Sequence, residues 1–196
     1  MREFLLGIDE AGRGPLAGPV AVGIVAVAKE FDIKKAFPAV ADSKVLTEKK
    51  REEIFEEALL CKERGEIDFC VEFGSAELID TIGITKAVRD CIYRGVKKLA
   101  AESEGVHVLL DGLLHAPVGY SQETIIRGDA TEPIISLASI VAKVSRDRLM
   151  KKMAEEFPNY GFEKHKGYGT KAHQTAIQEF GLSEIHRRTY CRSLSF

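Results

Sequence analysis

Hydrophobic positions along this chain fall into two patterns: short unbroken apolar runs, and longer stretches in which apolar residues recur every three or four positions. The runs at 3–9, 20–27, 67–73 and 106–110 predict strands, and 20–27 is so uniformly apolar that it predicts a central strand buried on both faces. Another short strand is predicted over 124–127. Thr47 reads as the N-cap of a helix from 48 to about 62. Residues 75–101 predict one or two helices, with Ile84, Val88, Ile92, Val96 and Leu99 along one face. Over 132–153 the positions of Ile134, Leu137, Ala138, Val141, Leu149 and Met153 predict a long, largely buried helix that tolerates Pro133 in its first turn. Phe157-Pro158 interrupts the chain. Residues 165–170 then form a polar, glycine-punctuated loop before a last helix over 171–179. Strands first, then alternating helices and strands, imply an α/β sandwich with helices on both faces of a mixed sheet.

Composition narrows this picture. The 196 residues, 45% of them hydrophobic, suffice for one core, and neither repeats nor a low-complexity linker divide them. Cys61, Cys70, Cys91 and Cys191 show no C-x-x-C spacing, so a reducing compartment is expected and a zinc knuckle or disulfide framework is not. Asp9 and Glu10 come too early for a signal peptide and no apolar run reaches spanning length, so the expected location is the cytoplasm, without a membrane partner. The net charge of −2 argues against a nucleic-acid binder, but its distribution does not: residues 143–192 hold 11 Lys or Arg against 6 Asp or Glu, leaving +5 there and −7 elsewhere. A solvated basic helical surface explains that asymmetry equally well.

Candidate chemistry lies at the ends of the predicted strands, where functional groups of open α/β sheets gather. Asp9-Glu10 closes the first strand, Asp111 closes 106–110, and Asp129 follows 124–127. Adjacent side chains of a regular strand face opposite ways, so Asp9 and Glu10 serve one site only if the chain turns at Glu10. Each acid alone has an ordinary reading, as an acidic turn for Asp9-Glu10 and Asp111-Gly112, and as an N-cap for Asp129. If the four converge, mutual repulsion raises their pKa values unless cations intervene. An all-oxygen donor set suits Mg²⁺ or Mn²⁺ and not zinc. Two such ions, roughly 3.5–4 Å apart, are suited to in-line phosphoryl displacement.

Gly12-Arg13-Gly14-Pro15-Leu16-Ala17-Gly18 superficially resembles a dinucleotide-binding turn, but the strand behind it is wrong for that motif, which must open a helix. The glycines read instead as allowing close backbone approach to a ligand, or as a plain hairpin turn. Lys143 and Asp147, four apart on one helix, pair structurally; Lys143 also lies where a substrate phosphate is reachable. His115, His173 and His186 are scattered in sequence and read as packing or capping residues.

Together, residues 7–20, Asp42-Ser43-Lys44, Leu110-Asp111-Gly112, Gly128-Asp129, residues 138–147 and His165-Lys166-Gly167-Tyr168-Gly169-Thr170 resemble type 2 ribonuclease H, the prokaryotic ribonuclease HII group, over nearly the whole chain. The Gly12-Arg13-Gly14 triplet favours this group over ribonuclease HIII. Gly83-Ile84, where Asn-Ile is frequent, and Ser136-Leu137 depart from the pattern without touching a proposed ligand. The resemblance implies a ribonuclease H-like fold, with a five-stranded mixed sheet flanked by helices over 1–156 and a helical C-terminal extension over 157–196. It implies an endoribonuclease that cuts RNA–DNA hybrids and ribonucleotides embedded in duplex DNA, leaving 3′-hydroxyl and 5′-phosphate ends. By position, Asp9, Glu10, Asp111 and Asp129 would hold two Mg²⁺ or Mn²⁺ ions. The Gly12-Arg13-Gly14 backbone and Tyr168 would sense the ribose 2′-hydroxyl, and Lys44 and Lys143 would meet phosphates. Action as a monomer is expected; recruitment by replication proteins stays open. A noncatalytic hybrid-binding module is the rival reading, and metal-dependent turnover separates the two.

Overall fold

The computed structural model describes residues 3–40 and 46–192. Five strands, β1 (Phe4–Ala11), β2 (Val20–Ala28), β3 (Ile67–Gly74), β4 (Val106–Asp111) and β5 (Ser121–Ile125), form one sheet in the order β3-β2-β1-β4-β5. β1 pairs antiparallel with β2 and parallel with β4; β2–β3 is antiparallel and β4–β5 parallel. The mixed α/β sheet expected from the sequence is therefore present, and β2 is buried on both faces as its apolar run requires.

Helices α1 (Ile33–Ala36), α2 (Glu48–Glu63), α3 (Ala76–Ile82), α4 (Ile84–Leu99), α5 (Gly128–Thr131), α6 (Pro133–Glu156), α7 (Phe162–His165) and α8 (Lys171–Phe180) cover both faces. Thr47 caps α2 through its side chain, which accepts from the Lys50 amide. On one face Ile8, Ile24 and Leu110 meet Val88, Ile92 and Val96 of α4. On the other, Val25, Val27 and Leu109 meet Leu137, Ala138 and Val141 of α6, with α2 packed outside. α6 lies against the sheet with almost no gap: a Cβ added to Gly23 would stand 2.3 Å from the Ala138 carbonyl oxygen. A third cluster, Ala17, Met150, Tyr160, Phe162, Ala176 and Ile177, fastens the chain after α6 to the segment joining β1 and β2. Among the described residues no helix is long and apolar enough to cross a membrane.

Three boundaries differ from the pattern-based expectation. β1 does not turn at Glu10 but stays paired with β2 through Ala11. The fifth strand lies at 121–125 and not 124–127, because it is a largely exposed edge strand that needs no apolar alternation. The stretch 75–101 is two helices, broken at Gly83, whose φ of 82° suits glycine.

Candidate active site

The β1–β4 ladder ends at the Ile8–Leu110 pair, while β1 continues along β2 and β4 continues along β5. Asp9 and Asp111 are the next residue on each strand, so they stand side by side where the two parallel strands part. In-register residues of parallel neighbours point to the same face, and alternation from Ile8 and Leu110 on the α4 face sends both carboxylates toward α6. Glu10 is on the opposite face of β1 by the same alternation, yet it borders the same notch. Burial, opposed by the neighbouring Arg13, raises its pKa, and Asp111 adds to the rise. Asp9 is 5% exposed, and its carboxyl is pushed well above the usual range by burial first, then by Glu10, with a smaller push from Asp111. A hydrogen bond from Ser139 on α6 works against that shift. The turn at Glu10 is thus unnecessary: the end of a neighbouring strand opens the site to both faces.

Asp129 enters beside this notch from α5. It does not cap a helix. The preceding residue, Arg127, takes the N-cap position in left-handed geometry, with φ of 58°, and puts Asp129 in the first turn. There its backbone N–H donates to Asp111 Oδ1 at 3.3 Å.

The glycine loop is held from behind. Arg187, buried near the C-terminal end, donates from Nη2 to the Gly12 carbonyl (2.7 Å), from Nη1 to that of Arg13 (2.8 Å) and from Nε to that of Gly18 (2.9 Å). In trans peptides the N–H opposes the C=O. Drawing the Gly12 and Arg13 carbonyls inward therefore turns the amides of Arg13 and Gly14 outward, at exposed residues. A second buried guanidinium, Arg146 of α6, donates to the carbonyls of Pro19, Lys166 and Ala17. Gly12 has φ of 89°, and a Cβ there would fall 2.0 Å from Arg146 Nε. Burial lowers the pKa of both arginines, that of Arg187 to about 10, with Arg146 repelling it further. The Gly167 carbonyl accepts from the amides of Leu16 (2.8 Å) and Ala17 (3.3 Å), so the Tyr168 loop adjoins the glycine loop. Tyr168 is 42% exposed, with Lys143 Nζ 5.8 Å from its ring centre.

Lys143 pairs with Asp147 at 2.8 Å, the structural role open to it from sequence. Lys44 lies outside the described residues. Arg146 and Arg187 were missed because an arginine that binds carbonyls inside the protein has no sequence signature apart from its neighbours. His173 and His186, scattered along the chain, are in fact hydrogen-bonded to one another.

A divalent ion fits the chemistry of the notch. Glu10 Oε2 is buried without a hydrogen-bond partner, and the raised pKa values of Asp9 and Glu10 express an uncompensated negative field that a cation would relieve. Among the described residues no three His, Cys, Asp or Glu side chains are grouped so that they could hold an ion together. A hard cation that keeps water and substrate oxygens in its shell needs fewer protein ligands than such a group would supply.

Residues 6–193 match the family described as Ribonuclease HII. The chain belongs to the ribonuclease HII family. Ribonuclease HII from Endomicrobium trichonymphae is 46% identical over 186 residues, covering 94% of this chain and 83% of that protein. Ribonuclease HII from Caldicellulosiruptor bescii is 42% identical over 191 residues, covering 97% and 88%. Among solved structures, the PCNA:RNase HII complex from Archaeoglobus fulgidus superposes with a TM-score of 0.76 at 26% identity, covering 94% of this chain and 93% of that one. Ribonuclease HIII of the Bst enzyme in complex with Mn²⁺ shares the fold, with a TM-score of 0.66 at 17% identity over 96% of this chain and 65% of that one. Membership in ribonuclease HII makes the protein a metal-dependent ribonuclease acting on RNA–DNA hybrids.

Proposed function

We propose that this protein cuts the RNA strand of hybrids and also nicks duplex DNA at single embedded ribonucleotides, leaving 3′-hydroxyl and 5′-phosphate ends. The reaction takes place at Asp9, Glu10, Asp111 and Asp129. The observation that carries this reading is the parting of β1 and β4, which sets Asp9 beside Asp111 next to the unpartnered Glu10 Oε2. The four carboxylates would hold two divalent ions, Mg²⁺ or Mn²⁺; the Mn²⁺ complex of the ribonuclease HIII neighbour supports the second choice. Bound there, the ions would supply an activated water and charge stabilisation at the leaving oxygen.

The remaining work falls to the chain's own groups. The outward amides of Arg13 and Gly14 are donors suited to a sugar 2′-oxygen, and the exposed Tyr168 hydroxyl both donates and accepts, as a reader of the same hydroxyl must. Lys143, Lys44 and the basic surface of residues 143–192 would hold phosphates without reading sequence. The division into a core over 1–156 and an extension over 157–196 is functional only in part, since Arg187 and Tyr168 of the extension complete the site. We place the working form as a monomer in the cytoplasm. The Archaeoglobus fulgidus neighbour is in complex with PCNA, and recruitment by such a partner is compatible with a monomer.

The test is a cleavage map on a DNA duplex bearing one ribonucleotide, with and without divalent ion. Wild type should cut once, beside the ribonucleotide and only with metal. Asp111→Asn should lose cleavage by roughly a thousandfold or more while keeping its melting temperature. Normal cutting by Asp111→Asn refutes the assignment, and metal-independent cutting refutes the metal role.

A further inference from the structure

His165, His173 and His186 form a cluster of titratable groups away from the carboxylate notch. His173 and His186 are 0% and 2% exposed, and the His165 ring stacks on His173 at a centroid distance of 4.5 Å. Phe162 and Tyr160 pack around them. The backbone partners of these nitrogens assign a proton to each ring. Two groups of Ser183 meet His186 Nδ1: the backbone N–H donates at 2.9 Å, and the hydroxyl, which can donate or accept, lies 2.8 Å away. A backbone N–H only donates, so Nδ1 carries a lone pair and the proton of the neutral ring sits on Nε2. That Nε2–H points at His173 Nε2, 3.0 Å away, which must accept. The His173 proton is therefore on Nδ1, which donates to the Tyr168 carbonyl at 2.9 Å, an atom that can only accept. His165 is determined in the same way: Gly167 N–H donates to its Nδ1 at 3.2 Å, and its Nε2 donates to the Tyr160 carbonyl at 2.8 Å.

We propose that His173 and His186 form a neutral hydrogen-bond wire of fixed direction, anchored on the Ser183 amide, which positions the Tyr168 loop, and that His173 is a positioning residue for cleavage. This rests on the reading of Tyr168 as a sugar contact. The Tyr168 carbonyl also accepts from the Thr170 amide at 2.8 Å, and its N–H donates to the His165 carbonyl at 2.9 Å. The backbone on both sides of Tyr168 is thereby held while its side chain is left exposed. Protonating His173 at Nε2 would set two N–H groups head to head, and protonating His186 at Nδ1 would do the same against Ser183. Burial, which brings both rings down to about 4, keeps the wire neutral under working conditions.

Two measurements decide this. In uniformly ¹⁵N-labelled wild type at neutral pH, long-range ¹H–¹⁵N correlations should show His173 protonated at Nδ1 and His186 at Nε2; either opposite tautomer overturns the wire. For activity, His173→Phe keeps the ring shape and removes the donor, whereas His173→Asn keeps an N–H near the position of Nδ1. On a duplex with one ribonucleotide, His173→Phe should lose roughly ten- to a hundredfold in kcat/KM, the scale of a small misplacement of a positioning group. Mn²⁺ affinity by calorimetry should not change. His173→Asn should recover most of the loss, and His173→Phe should cost nothing further in a Tyr168→Ala background. Wild-type cleavage by His173→Phe, or an equal loss in the Tyr168→Ala background, overturns the positioning role. Should Tyr168→Ala itself cleave normally, the sugar-contact reading falls. The wire is then judged by the tautomers and by hydrogen exchange at the Thr170 amide, expected to quicken in His173→Phe but not in His173→Asn.

Discussion

Arg187 and Arg146 illustrate what single side chains do here. A guanidinium with three hydrogen bonds to carbonyls of one loop specifies the shape of that loop, because its planar fork has few ways to satisfy all three. Lysine offers a point charge instead. Arg187→Lys is expected to lower stability by on the order of 1–3 kcal/mol through carbonyls left unsatisfied, read as a lower denaturant midpoint. Cleavage should fall with it while Mn²⁺ affinity holds. Gly12→Ala meets a steric limit as well as an unfavourable φ, and should cost activity more than a surface Gly14→Ala, whose added Cβ meets nothing within 4 Å. Comparing the two variants on the same single-ribonucleotide duplex checks this. Neither arginine was legible as a structural residue in the sequence. The basic excess of 143–192 points to phosphate, and two of its members are buried inside the protein.

At the scale of elements, β2 was marked by an unbroken apolar run buried on both faces, α4 by apolar residues at helical spacing, α6 by a long apolar stretch and α2 by its Thr47 cap. Legibility failed where burial stops imposing a period. β5 is an exposed edge, and the end of β1 is held by its ladder with β2 rather than by apolar side chains. The close approach of α6 to β2 was also hidden, because a glycine in a strand says nothing of what lies over it. That approach makes Gly23 intolerant: Gly23→Val would drive its side chain into the Ala138 backbone, which has no rotamer with which to yield. A loss of roughly 3 kcal/mol or more is expected in thermal unfolding, and a wild-type melting temperature would show that α6 can move outward.

For the whole molecule, burial of charge and of histidine makes stability depend on pH and on ions. His173 and His186 have pKa values lowered to about 4 from 6.5, so the unfolded chain takes up protons first as the pH falls. Their contribution is complete above pH 6.5, is lost between there and about 4, and levels off below. Each histidine accounts for roughly 1–3 kcal/mol. Asp9 and Glu10, with raised pKa values, act in the opposite sense, so the histidine part is isolated as the difference between wild type and His186→Leu. The variant should show a flatter acid limb in denaturant titrations. Divalent ion should stabilise the fold by about 2.7 kcal/mol at a hundredfold excess over Kd, read as a melting temperature that climbs with the logarithm of concentration, and Asp9→Asn should abolish the rise. At this scale the sequence was informative about which carboxylates gather at strand ends, since Asp9, Asp111 and Asp129 all follow predicted strands. The packing of residues 165–191 against the glycine loop depends on long-range folding-back, such as the bridge between Ala17 and His186, that no local spacing encodes.

The seam between β1 and β4 has a further consequence for how such an enzyme comes into being. Asp9 is synthesised early and Asp111 only about a hundred positions later, and nothing but the lateral closure of two parallel strands brings them abreast. Parallel pairing of this kind is a slow, non-local event. On the proposed assignment of Asp9 and Asp111, a nascent or partly unfolded chain therefore carries the early acids yet no nuclease, and cutting power arrives only together with the finished sheet.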